Sequence, residues 1–303
     1  MQLRQFLIRL GLTILLPIVI IGVIFEVLFR NIPNTHEYKK EYMDVHAEDI
    51  EVLILGNSHA FDGINPQYLS YSSFNLAYHA QEFVYDKFLV EKYIERMHSL
   101  KCLVFTMSYF TLFEDDMHGW RANKYRLYCD IDNGVKLSES LECLKNDNFK
   151  FLVDFYFEGK NLIICDSLGN AKEYEYFPYY DWEANGKGAA LRHTLYSEGK
   201  GIMNLYILEA IKQLQEKYDV KVIFITFPAW QTYIQNLDRR QYMLMQQIMD
   251  KLTQQDSDIF YYNFLDDTTF VQSDFFNVDH LNERGAVKMT RKLNKILQSV
   301  LKD

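Results

Sequence analysis

The chain has 303 residues, 49% of them hydrophobic and 24% charged, and a formal net charge of −9. That balance marks a globular polypeptide and excludes a disordered one. Lys and Arg form no run longer than a pair, so the clustered basic footprint that nucleic acid requires is absent and no nucleic-acid partner is expected.

The N-terminus is apolar. From Leu10 to Phe29 the only ionisable residue is Glu26, and a helix of about 20 residues spans the ~30 Å hydrocarbon core of a bilayer. Arg4 and Arg9 precede the stretch and no small-residue cleavage site closes it, which predicts a retained single-pass anchor over residues 1–30. The short basic tail places the N-terminus inside and the following domain outside the cell membrane, although Arg30, Lys39 and Lys40 beyond the span leave the charge bias slight. Residues 31–50 are polar without a clean period and read as a tether.

Residues 51–303 alternate strand-like and helix-like segments. Glu51–Leu55, Ser73–Ala77, Cys102–Met107, Val220–Thr226 and Ile259–Phe264 read as strands. Gln81–His98, Ile202–Lys217, Arg239–Leu252 and Glu283–Leu301 have helical periodicity. Such alternation predicts a parallel sheet covered on both faces by helices. Residues of about 109–201 break the rhythm and read as an insertion over the sheet, holding a strand-like piece at Asn161–Cys165 and an aromatic run at Tyr174–Trp182. That run is a candidate sugar platform, although aromatic residues more commonly fill a core.

The four cysteines, Cys102, Cys129, Cys143 and Cys165, include no CxxC pair, and no His/Cys spacing resembles a zinc site. Neither metal nor cofactor is expected. Cys102 and Cys165 read as buried, and a Cys129–Cys143 pairing stays open.

Two loops at strand ends hold residues suited to nucleophilic chemistry. Gly56-Asn57-Ser58-His59 follows the first strand, where Gly56 permits a sharp turn and Ser58 stands at the sheet edge. A serine there is either a nucleophile or simply the cap of the next helix. Asn277-Val278-Asp279-His280-Leu281-Asn282 follows the last strand. An imidazole can activate a hydroxyl near neutral pH, and a carboxylate must then orient it and support its cation. Asp279 or an acid from outside the loop supplies that carboxylate.

Together, GNSH after the first strand, the DGINP that follows it (Asp62–Pro66) and DHLNERGA before the last helix resemble the SGNH/GDSL hydrolase superfamily. Among its members they are similar to membrane-tethered bacterial proteins of DltD-like and alginate-acetylation type. The resemblance covers the first loop, the Asn75–Ala77 strand and the final loop, but not the insertion. It implies a flavodoxin-like three-layer α/β/α sandwich with a mostly parallel sheet, and Ser58 as nucleophile and His280 as general base, with an oxyanion hole from the backbone of Ser58 and of the Ala77–Ala80 loop. Gly56 and Asn57 join the substrate-binding set.

Three departures from that pattern stand out. Ala77 or Ala80 replaces the second-block glycine. Ser108, in Met107-Ser108-Tyr109, takes the place of an asparagine oxyanion donor. Asn277 stands where the acid three residues before the histidine belongs, leaving Asp279 to compensate.

The resemblance thus implies a membrane-anchored serine esterase or O-acyltransferase, with acetyl as the acyl group, acting on a carbohydrate or acylated glycan of the cell envelope. The alternative is a catalytically inactive accessory that binds a glycan or a multipass membrane acyltransferase. A neighbouring multipass acyltransferase is an expected partner of the enzyme form as well.

Overall fold

The computed structural model describes residues 2–114, 120–131, 141–142, 148–172, 180–196 and 201–302. The chain divides into two compact units, one of residues 1–40 and 117–164, the other of residues 41–116 and 165–303.

In the first unit, helix α1 runs Gln2–Arg30, and its segment Arg4–Arg30 is long and apolar enough to cross a membrane. Pro17 lies inside it without ending it. Helix α2, Thr35–His46, begins in the first unit and ends in the second, and occupies much of the stretch read as a tether. Its sequence lacks a clean apolar period, so tertiary contacts and a cap sustain it. Asn34 Oδ1 accepts the Glu37 N–H at 3.2 Å, and Met43 is fully buried.

The second unit holds five parallel strands: β1 Val52–Leu55, β2 Ser73–Asn75, β3 Cys102–Thr106, β4 Lys221–Thr226 and β5 Ile259–Asn263. Their order is β2-β1-β3-β4-β5. Strands β1 to β3 are buried along their whole length. That burial is why β1 and β3 read in sequence as nearly continuous apolar runs rather than alternating ones.

Between and after the strands lie α3 (Ser58–Gly63), α4 (Phe83–Tyr93), α5 (Trp120–Cys129), α6 (Asn148–Glu158), α7 (Trp182–His193), α8 (Leu205–Tyr218), α9 (Gln231–Ile234), α10 (Arg239–Gln255) and α11 (Glu283–Val300). Of these, α5 and α6 belong to the first unit. Right-handed crossovers in this strand order put α3 on one face and α4, α8 and α10 on the other. The packing of α11 on α3, and of α4 on α8, follows that division.

Asn161–Cys165 is not a strand of the sheet. Leu162 makes an isolated parallel bridge to Asn34, and Cys165 an isolated antiparallel bridge to Ala171. Cys102 and Cys165 are buried as expected. A Cys129–Cys143 pairing falls outside the described residues, as does most of the Tyr174–Trp182 run.

The chain leaves β1 toward β2 and returns past β1 to β3, so the strand order reverses between β1 and β3. In open parallel sheets the crevice beyond the strand ends at such a point is where ligands bind. The loops carrying Ser58 and Ser108 leave the sheet there.

Candidate active site

The turn after β1 depends on Gly56. Its φ is +127°, a region that side chains rarely enter, and a Cβ there would collide with Thr106 Oγ1. Asn57 then caps α3, its Oδ1 accepting the His59 N–H at 3.1 Å. Ser58 is therefore not the capping residue; it opens the helix, half-buried at the sheet edge.

Between β5 and α11 the chain forms a closed loop. Phe275 and Leu281 make an antiparallel bridge, and the Phe276 N–H donates to His280 O at 3.1 Å. The Trp230 N–H donates to Val278 O at 2.7 Å, and Val278 is buried against Ala189, Ala190, Tyr233 and Leu265. Thus held, the loop brings His280 Nε2 to 2.6 Å from Ser58 Oγ across 222 residues of sequence.

The protons on this pair follow from its neighbours. His280 Nδ1 lies 3.0 Å from Asn277 Oδ1 and 3.1 Å from Asp279 Oδ1. Asn277 Oδ1 also accepts the backbone N–H groups of Asp279 and His280, at 3.1 and 2.9 Å, which fixes it as the amide oxygen. Both partners of Nδ1 are acceptors, so Nδ1 carries the proton. Nε2 is then bare in the neutral ring and accepts the Ser58 hydroxyl.

Charge is distributed to match. Burial opposes ionisation of Asp279, yet His280 and His59 outweigh it and hold the carboxyl well below the usual range. Burial likewise disfavours a charged His280, but the charge and hydrogen bond of Asp279, with Asp62 nearby, raise its pKa above the ordinary histidine value. The arrangement is a basic imidazole between a hydroxyl and a buried carboxylate.

Two further histidines surround that carboxylate. His59 Nε2 is 3.7 Å and His193 Nδ1 3.8 Å from Asp279 Oδ2. His193 Nδ1 also lies 2.9 Å from the Tyr233 hydroxyl. Burial lowers the pKa of both rings, that of His193 to about 4, so both are neutral near pH 7.

The tautomer of His59 can be traced as well. Asn57 Nδ2 only donates, and does so to Ser108 Oγ at 2.9 Å. Ser108 Oγ is 2.8 Å from His59 Nδ1, and the Asp279 carboxylate facing Nε2 favours the ring proton there, which leaves the Ser108 hydroxyl to donate to Nδ1. His59, Asp279 and His280 offer ligand atoms within 4.8 Å of one another. A metal ion would need the bare Nε2 of His59, the nitrogen on which the facing Asp279 carboxylate favours a proton. These residues fit a proton network better than a metal.

The structure thus gathers Ser58, His280, Asp279 and Asn277, with Gly56 shaping the turn and Asn57 and Ser108 bracing His59. Two expected oxyanion donors are engaged elsewhere. The Ala77 N–H donates to Asn75 Oδ1 at 3.1 Å, and the Ser108 hydroxyl belongs to the His59 chain. Ala80 takes a φ of +51°, the left-handed conformation that favours a glycine.

His59, His193, Tyr233 and Asp62 are members that sequence reasoning missed. His59 was within reach as the immediate neighbour of Ser58. His193 and Tyr233 carry no local signal. Beside the site, His79 Nε2 lies 3.0 Å from the buried Asp62, one helical turn along α3 from Ser58.

No known family profile matches the chain, and no curated protein does. Among solved structures, one resembling it is a protein assigned as a platelet activating factor from Streptococcus pneumonia, with 10% identity and a TM-score of 0.45 over 87% of this chain and 91% of that one. Another is a protein assigned as an acylhydrolase from Bacteroides fragilis, with 10% identity and a TM-score of 0.42 over 86% of this chain and 96% of that one. Likeness of that degree bears on neither activity nor substrate.

Proposed function

We propose that this chain is a membrane-anchored serine esterase or O-acyltransferase of the SGNH/GDSL kind. The observation that carries the reading is the 2.6 Å approach of Ser58 Oγ to His280 Nε2, with Asp279 and Asn277 on Nδ1. Ser58 Oγ attacks the carbonyl carbon of an ester while its proton passes to His280 Nε2. The carbonyl π pair moves onto oxygen, and Asp279 supports the imidazolium. When the oxyanion collapses, the C–O bond to the leaving group breaks and the departing oxygen takes the proton from His280. Water, or a sugar hydroxyl, then repeats these steps on the Ser58 ester.

Acetyl is the acyl group proposed, and an ester of a cell-envelope or exported polysaccharide the substrate class that an external domain on a membrane helix would meet. The accessory reading rests on Asn277 and on Ser108 in place of an asparagine oxyanion donor, and Asn277 is the graver departure. That argument weakens where Asp279 lies on the same nitrogen and Asn277 sets the tautomer.

The test is fluorophosphonate labelling of the full chain in detergent, with p-nitrophenyl acetate turnover in the same samples. Labelling and turnover that vanish in Ser58→Ala and His280→Ala are expected. A folded wild type that neither labels nor turns over above its own variants would refute the enzyme reading in favour of the accessory.

A further inference from the structure

Helix α6, Asn148–Glu158, presents three aromatic side chains outward. Phe149 is 64% exposed, Tyr156 46% and Phe157 84%. They stand at positions i, i+7 and i+8, one stripe of a helix. Leu152, with Phe151 and Phe155, packs instead on Phe25, Leu28 and Phe29 of α1 in the same compact unit. Phe149 and Tyr156 touch α1 at one edge, and among the described residues the stripe otherwise stays exposed; an ordinary water-facing helix has no reason to place three large aromatics there.

The contacts between the two helices fix the level of the stripe along α1. Exposed apolar side chains on α1 run from Phe6 to Val27. At about 1.5 Å per residue that stretch covers about 32 Å, close to the thickness of a bilayer's hydrocarbon core. Phe149 meets Phe25 edge to face with ring centroids 6.0 Å apart, and the Tyr156 hydroxyl donates to Leu28 O at 3.0 Å. Both contacts fall at the C-terminal edge of the apolar stretch, where Glu26 and Arg30 pair at 2.6 Å. The exposed aromatics therefore lie level with the boundary between hydrocarbon and headgroups, where amphipathic rings concentrate.

We infer that α6 lies in the membrane interface beside the emerging end of α1, with Phe149, Tyr156 and Phe157 inserted among the lipids. This rests on the reading of α1 as a membrane span. Two attachments of one compact unit to the same bilayer, a crossing helix and an interfacial one, restrict its tilt far more than a single helix would.

The test replaces Phe149, Phe157, Ile18 or Leu191 singly by p-benzoylphenylalanine in the full chain. Each protein is reconstituted in vesicles of phosphatidylcholine with phosphatidylglycerol carrying a traceable lipid, then irradiated. Ile18, exposed on α1, reports the span; Leu191, exposed on α7 in the other unit, is the control. Lipid adducts at Phe149 and Phe157 approaching those at Ile18, and several-fold above Leu191, are expected. Adducts at Ile18 with only control levels at both α6 positions would overturn the inference and leave the anchor standing. Control levels at Ile18 would remove the anchor and the inference together. Crosslinks from α6 to a second copy of the chain in place of lipid would also overturn it.

Discussion

At the scale of single residues, two side chains share what one acid usually does. Asn277 sets the tautomer of His280, and Asp279 alone supplies charge. Asp279→Asn is therefore expected to keep the fold and lower kcat by about four orders of magnitude, the size of the loss when a serine protease's orienting Asp is replaced. The pH profile separates the two roles. His280 must be unprotonated to act as base, so kcat/KM rises with pH through a midpoint above the ordinary histidine value. In Asp279→Asn that midpoint should move to lower pH, because the charge that favours the imidazolium is gone; in Asn277→Ala it should stay raised. An unmoved midpoint in Asp279→Asn would mean that another acid supports His280. The resemblance paired Ser58 with His280, and the structure brings the two within 2.6 Å. Asp279 was one of two sources left open for the carboxylate; that it lies on His280 Nδ1 depends on the loop's path, which decides whether adjacent side chains meet.

At the scale of elements, the site depends on how two loops leave the sheet. The Gly56 turn is the more exacting, since its φ of +127° and the closeness of Thr106 both exclude a side chain. Gly56→Ala should cost of order 1–3 kcal/mol in backbone strain, before any repacking around Thr106. The measurement is chemical denaturation of the full chain in detergent. The double variant Gly56→Ala with Thr106→Ala should recover little, because the Thr106 Cβ would still lie 2.5 Å from the added one and the strain remains, and a single variant as stable as wild type would show that the turn can relax. This element was readable beforehand because glycine after an apolar run is a local signal. Helix α2 was not readable, since its support comes from the burial of Met43 and a cap rather than from an apolar period. Asn161–Cys165 failed in the opposite direction: an apolar run satisfies strand propensity, but pairing needs a neighbour with a free edge.

For the whole molecule, buried titratable groups set how stability depends on pH. Asp86 accepts the Gly56 N–H and a 2.6 Å bond from Gln81, and burial pushes its carboxyl up to about 8. Burial, with Glu82 and Asp86 nearby, raises Glu114 as well. A carboxyl raised on folding stabilises below its unfolded pKa of about 4 and loses that contribution as pH climbs to the folded value. His36 and His193 act in the opposite sense. Burial lowers them to about 3 and about 4, so their contribution is lost as pH falls below about 6.5. The two effects oppose each other between about pH 4 and 6.5, and above that only the carboxyls, joined by His280, still act. The thermal midpoint should hold roughly level over the acidic range and fall between pH 6.5 and 8, and Asp86→Asn should fall less over the same interval. An equally steep loss in that variant would remove Asp86 as a cause. By itself the sequence determined the alternation of strands and helices, the apolar N-terminal helix and the two loops that carry Ser58 and His280, because periodicity and turn chemistry act over a few residues. Tertiary structure alone decided that β1 and β3 adjoin, that His59 and His193 converge on Asp279, and that α6 turns three aromatics outward level with the end of α1. Those facts depend on contacts between segments far apart in the chain, and residue spacing carries no information about them.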